Sequence, residues 1–79
     1  MKELILYTTS GCHLCEQAEE LITPYIQRDS IQLKLIDIAD SDQLSDRYGV
    51  RIPVIQRVDT TDELGWPFDD LQLGLFLSN

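Results

Sequence analysis

"TTSGCHLC", residues 8–15, carries Cys12 and Cys15, the two cysteines of the chain. Its flanks decide what kind of site they can form. On the N-terminal side, "ELILYTT" is a compact apolar run that ends in Thr8 and Thr9 and meets the breaker pair Ser10 and Gly11, as a buried strand feeding a turn should. A first strand is therefore expected at 3–8. On the C-terminal side, Leu14, Ala18, Leu21, Ile22, Tyr25 and Ile26 recur at spacings of three and four, while Glu16, Glu19, Glu20 and Gln27 fall elsewhere on the cylinder. This is an amphipathic helix. Pro24 removes one backbone donor and crowds the preceding turn, which predicts a kink or a break near Thr23.

Further along, "IQLKLIDI" alternates apolar Ile31, Leu33 and Leu35 with polar Gln32 and Lys34, then changes phase around Asp37, and reads as a strand. "DSDQLSDRYG" offers Asp40 or Ser41 as a cap, Leu44 and Tyr48 four apart, and Gly49 as a stop, so a short helix follows. "VRIPVIQRV" returns to β-branched residues, but Pro53 cannot donate to a ladder and demands an edge position or an irregular start to the strand. "DTTDE" reads as a hairpin turn into a short strand near 63–65. "WPFDDLQLGLFL" is a last helix with Pro67 near its start and Asp69 and Asp70 in its first turn. The order is β-α-β-α-β-β-α. Helical crossovers predict that the first three strands are parallel neighbours or near neighbours, and the tight turn makes the last pair antiparallel. The fold class expected is α/β, a small four-stranded mixed sheet with helices on both faces.

With 79 residues, 43% of them apolar, the chain has room for one small globular domain over 1–79. Six Lys and Arg stand against fourteen Asp and Glu, for a net charge of −8. Nucleic acid and anionic lipid would meet net repulsion, so neither is an expected partner. No apolar stretch approaches the roughly 20 residues that span a bilayer, and "MKELILYTTS" is too short in its apolar part for a secretory signal. A cytoplasmic monomer is expected. Two cysteines are too few for a disulfide scaffold, and in a reducing compartment a close pair more often means redox chemistry or metal.

Cys12 follows a strand and a Ser-Gly turn and opens a helix, where unsatisfied amides and the helix dipole favour negative charge. With Cys12 as N-cap, the Cys15 N–H can point at its sulfur, and both side chains stand on the first turn, close enough for Cys15 to attack a mixed disulfide on Cys12. Zinc or an iron–sulfur centre would need ligands beyond Cys12, Cys15 and His13, and the chain has no second cysteine pair and no second histidine. Inert core thiols are the other reading, but a position between Gly11 and His13 suits full burial poorly. A C-x-x-C within a β-α-β pattern favours a thiol-disulfide couple. His13 either lowers the Cys12 pKa when protonated or points away from the sulfur; adjacent helical residues do not share a face, which favours the second.

In "GCHLCEQAEELI" (11–22), "LIDIADSDQLSDRYGVRIPVI" (35–55) and "LGWPFDDLQLGLFL" (64–77), the chain resembles the glutaredoxin-like branch of the thioredoxin superfamily over nearly its whole length. "YGVRIPV" is the second specific match. The resemblance implies a thioredoxin-like fold, Cys12 as nucleophile, Cys15 as resolving thiol and Pro53 as the family's cis-proline, turning the Ile52 backbone outward to pair with an extended peptide or glutathione. It implies a thiol-disulfide oxidoreductase acting on peptide or protein disulfides, with Arg51, Ile52, Pro53 and His13 in substrate binding and no bound cofactor or metal. Glutathione or a thioredoxin-type reductase would supply electrons. His13 and Leu14 replace the family's usual Pro-Tyr. Its double-glycine turn and acidic helix start survive only as "GWPFDD", with Gly65 and Asp69 or Asp70 matching in part, so glutathione use is expected to be weak. The alternatives are a non-catalytic binding module of the same fold, or a carrier sharing a metal or cluster between two chains through Cys12.

Overall fold

The computed structural model describes residues 2–78. Its elements are β1 (Glu3–Thr8), α1 (His13–Asp29), β2 (Gln32–Asp37), a 3-10 turn (Ile38–Asp40), α2 (Asp42–Tyr48), β3 (Val54–Arg57), β4 (Glu63–Gly65) and α3 (Asp70–Ser78). The order matches the one the sequence predicts. The four strands form one mixed sheet in the order β2-β1-β3-β4. β1 runs parallel to β2, with Thr8 opposite Asp37, and antiparallel to β3, with Tyr7 opposite Val54.

The antiparallel setting of β3 corrects the expected parallel one, and chain length explains it. β2 ends at Asp37, and seven-residue α2 is about 10 Å long. A six-residue strand spans about 20 Å. A helix this short cannot return the chain to the far end of the sheet, so β3 starts at the end where β2 stopped.

Each face of the sheet has its own apolar cluster. Leu4, Leu6 and Ile55 pack against Ala18 and Ile22 of α1, Leu73 and Leu77 of α3, and Phe68. On the other face Tyr7 and Val54 pack with Ile38 and Tyr48, flanked by Leu44 of α2. Helices thus cover both faces, as expected.

α1 continues through Pro24, so the break expected near Thr23 does not occur. Ala18 and Ile22 before the proline and Tyr25 and Ile26 after it all pack on the same core, and that burial outweighs a proline penalty of about 3 kcal/mol. Pro24 and Glu20 lie on the exposed side, where water can serve the carbonyl left without a partner, and the Thr23 hydroxyl donates to Glu19 O at 2.7 Å. α3 starts later than expected. Pro67 lies before it in the turn, and Asp69 is its cap: the Asp69 carboxylate accepts the Gln72 N–H at 2.8 Å, while the Gln72 side chain accepts the Asp69 N–H at 3.0 Å.

Tyr48 joins α2 to two strands. Its ring stacks on Tyr7 with centroids 4.1 Å apart, and its hydroxyl donates to Glu63 of β4. Burial, and then the bond to the Glu63 carboxylate, raise the Tyr48 pKa well above its ordinary value near 10. The fold therefore holds the neutral phenol, and this contribution is complete below about pH 10 and lost as pH climbs through the raised folded value. Tyr48→Phe is expected to cost about 1 kcal/mol at neutral pH and to flatten the loss of stability above about pH 10, both read by denaturant unfolding. Parallel alkaline profiles for the two proteins would contradict this.

Candidate active site

Ser10 and Gly11 carry the chain out of β1 into α1, with Gly11 at φ 72, in the left-handed region open to glycine. Cys12 then takes the N-cap position with extended backbone (φ −88, ψ 101), and its sulfur accepts the Cys15 N–H at 3.1 Å. The two sulfurs are joined in a disulfide across a Cα–Cα distance of 5.2 Å. Burial separates them: Cys15 is only 2% exposed, whereas Cys12 is half-buried and open on one side. A reagent from solvent meets Cys12 first.

Strand register assembles the surroundings. Tyr7 pairs with Val54 and Val54 with Gly65, so the turn leading to Cys12, the Ile52-Pro53 segment and Trp66 all lie at one end of the sheet. Pro53 is fully buried, and its carbonyl accepts the Trp66 N–H at 3.0 Å. The Ile52–Pro53 peptide bond is cis, as is Trp66–Pro67. The Ile52 amide is not open as expected, because it donates to Tyr48 O at 3.1 Å. Of the Ile52 backbone, that N–H is already engaged within the chain.

The remaining predicted residues divide. The His13 side chain is 90% exposed, with Nδ1 3.6 Å from a Glu16 carboxylate oxygen, so it faces solvent along α1. Arg51 belongs with Arg47 to a cluster whose centre, Glu63, the sequence did not reveal. Its guanidinium is 3.7 Å from Glu63, that of Arg47 is 3.8 Å from the same carboxylate, and both lie over the Tyr48 ring. Glu63 is the hub of this group. Its only trace in the sequence is a carboxylate beside Leu64 in a short strand, which reads as an ordinary solvated turn. Asp69 is occupied in capping α3, and Asp70 accepts from the Tyr25 hydroxyl at 3.0 Å, on α1 about 20 Å of helix beyond Cys12. Among the described residues, no three His, Cys, Asp or Glu side chains gather where they could hold a metal ion, and no helix is long and apolar enough to cross a membrane.

A half-exposed cysteine capping a helix, bonded to a buried one a turn later beside a proline segment on a four-stranded mixed sheet, defines a thioredoxin-like protein. The chain belongs to the glutaredoxin-like domain family (DUF836), whose model matches residues 3–78. It is similar to the structural-genomics target XcR50 from X. campestris, with 36% identity, 95% of each chain covered and a TM-score of 0.82 in the X-ray structure. Protein Ne2328 from Nitrosomonas europaea is similar at 28% identity over 95% of this chain and 89% of that one, with a TM-score of 0.81. A malarial protein at 15% identity, covering 99% of this chain and 94% of its own, shares the fold at a TM-score of 0.64. No curated protein matches the chain.

Because His13 faces Glu16 and solvent, His13→Gln should change the reaction rate of reduced Cys12 with a small alkylating reagent less than about twofold at neutral pH. A tenfold change would assign the imidazole a direct part in ionising the thiol.

Proposed function

We propose that the protein is a thiol-disulfide oxidoreductase that reduces peptide or protein disulfides, with Cys12 as nucleophile and Cys15 as resolving thiol. The observation that carries the reading is the Cys12–Cys15 disulfide at the start of α1, with one sulfur accessible and the other buried. A thiolate at Cys12 receives the Cys15 N–H and the partial positive charge of the helix start, which lowers the cost of ionisation. Glu16, one turn along and exposed, adds opposing negative potential and keeps the effect moderate.

The reaction follows from this asymmetry. The Cys12 thiolate attacks one sulfur of a substrate disulfide, forming a mixed disulfide and expelling the other substrate sulfur as a thiolate that takes a proton. Cys15 then gives up its proton and attacks the Cys12 sulfur, releasing the second substrate thiol and closing the Cys12–Cys15 bond. Two electrons have passed to the substrate, and an external dithiol or two thiols must restore the enzyme. Such cycling suits a reducing compartment, and the reading is of a cytoplasmic protein.

The donor is better sought in a protein reductase than in glutathione. Glutathione carries two carboxylates, and the start of α3, whose amides could receive one, is capped by the Asp69 side chain and lies against Tyr25, about 20 Å of helix from Cys12. Ile52 also has its N–H engaged by Tyr48 O, which removes half of the backbone pairing an extended ligand would use.

With a model peptide disulfide, Cys12→Ser should abolish turnover, while Cys15→Ser should complete the first exchange and stall as a one-to-one adduct visible by intact-mass spectrometry. An adduct held on Cys15 of the first variant would reverse the roles. Oxidised wild type should recover its thiols quickly with a thioredoxin-type reductase system and slowly with millimolar glutathione. Fast, saturable recovery with glutathione alone would overturn the donor assignment.

A further inference from the structure

The last helix is apolar on both of its sides. In "DLQLGLFLS" (70–78), Leu73 and Leu77 enter the core at 0% and 4% exposure, while Leu71 and Leu75 stand on the opposite side of the cylinder at 72% and 61%. A helix that is apolar all round suits a buried setting, which this chain alone does not provide. Leu71, Gly74, Leu75 and Ser78 follow the i, i+3, i+4, i+7 pattern and make one seam along it. Beside the seam runs a groove between α3 and the end of α1, lined by Lys2, Tyr25, Arg28, Asp29 and Gly74. A Cβ at Gly74 would lie 3.2 Å from the Tyr25 hydroxyl, so glycine lets the two helices close on this floor and leaves a hole in the seam.

Charge selects the occupant. The chain as a whole carries −8, but its groove holds two cations, Lys2 and Arg28, against two carboxylates, Asp29 and Asp70. This face is locally neutral, and a basic partner steered by net charge has no reason to choose it. A second copy of the chain does. With two α3 helices antiparallel about a two-fold axis between Gly74 and Leu75, Leu75 meets the partner's Gly74 and Leu71 meets the partner's Ser78. A large side chain faces a small one at each step of the seam. The same axis carries Asp70 toward the C-terminal end of the other α3, the end at which Lys2 is held by Leu77 O, so opposite charges meet twice.

We infer that the outer face of α3 pairs two copies of the chain, antiparallel, through Leu71 and Leu75. The pair replaces the monomer expected from composition. It is independent of the oxidoreductase reading, since Tyr25 on the floor of the groove is about 20 Å of helix from Cys12. A nine-residue helix offers a seam only about 13 Å long, which makes a small interface and a weak dimer. Net charges of like sign oppose the encounter at long range, whereas the apolar contact acts at short range, so the pair should tighten as salt screens the repulsion.

The test is the oligomeric state with both cysteines kept reduced. In sedimentation velocity from roughly 5 to 500 μM, the wild type should pass from the mass of one chain toward that of two, with Kd falling about threefold as salt rises from roughly 50 to 500 mM. The Leu71→Gln/Leu75→Gln protein should keep the mass of one chain throughout, with the circular dichroism and unfolding midpoint of dilute wild type, because both side chains are exposed. On a Cys12→Ser/Cys15→Ser background, Leu71→Cys protein mixed with Ser78→Cys protein should oxidise to the mixed dimer at least about fivefold faster than either links to itself. A wild type at the mass of one chain throughout, an association that survives the double substitution, one that weakens with salt, or self-linking faster than mixed linking would each overturn the pairing.

Discussion

The bond from the Cys15 amide to the Cys12 sulfur is the interaction on which the site depends. It makes a cysteine the cap of α1, a role that a serine or aspartate oxygen usually fills, and so places a potential thiolate where the helix needs an acceptor. With Cys12 at the cap and Cys15 in the first turn, the Cα atoms stand 5.2 Å apart, within the span of a disulfide. The same spacing turns Cys15 inward, where it is nearly inaccessible. One local motif therefore sets an accessible sulfur and a buried one side by side at the start of a helix.

The sheet supplies the rest of the site. Central β1 delivers the cysteine turn, and antiparallel β3 begins at the same end, so Pro53 arrives beside it without any long loop. β4 extends this edge with Gly65 and Trp66 and, two residues earlier, contributes Glu63 to the opposite face from α1 and α3. Glu63 joins β4 to α2 through Tyr48 and also collects Arg47 and Arg51. A structural contact thereby controls where positive charge appears on an acidic molecule. The start of α3 is capped from within by the Asp69 carboxylate, which accepts the Gln72 N–H.

Much of this was legible in local patterns. The apolar run of β1, the three-four spacing of α1, the Ser41 cap and the Gly49 stop each describe neighbours in sequence, and the elements fall where those patterns put them. The C-x-x-C at a strand-to-helix junction was legible for the same reason. What failed depended on distant partners. Pro24 obeys a local rule that core packing of Ile22, Tyr25 and Ile26 overrides. The orientation of β3 depends on the length of α2 relative to the strands, and crossover handedness says nothing when a short helix returns the chain to the same end. Glu63 looks like any hairpin carboxylate until Tyr48, fifteen positions away, is brought against it. The Ile52 amide likewise looked free because Tyr48 O, its acceptor, belongs to the end of α2.

The most direct measurement is the pH dependence of alkylation at each cysteine in the fully reduced protein, resolved by peptide mass. Cys12 should react with an apparent midpoint below the ~8.5 of a free thiol, with Cys15 modified far more slowly across the neutral range. A Cys12 midpoint at or above the free value, or Cys15 reacting as fast as Cys12, would contradict the claim that the start of α1 makes one sulfur the attacking group and keeps the other in reserve.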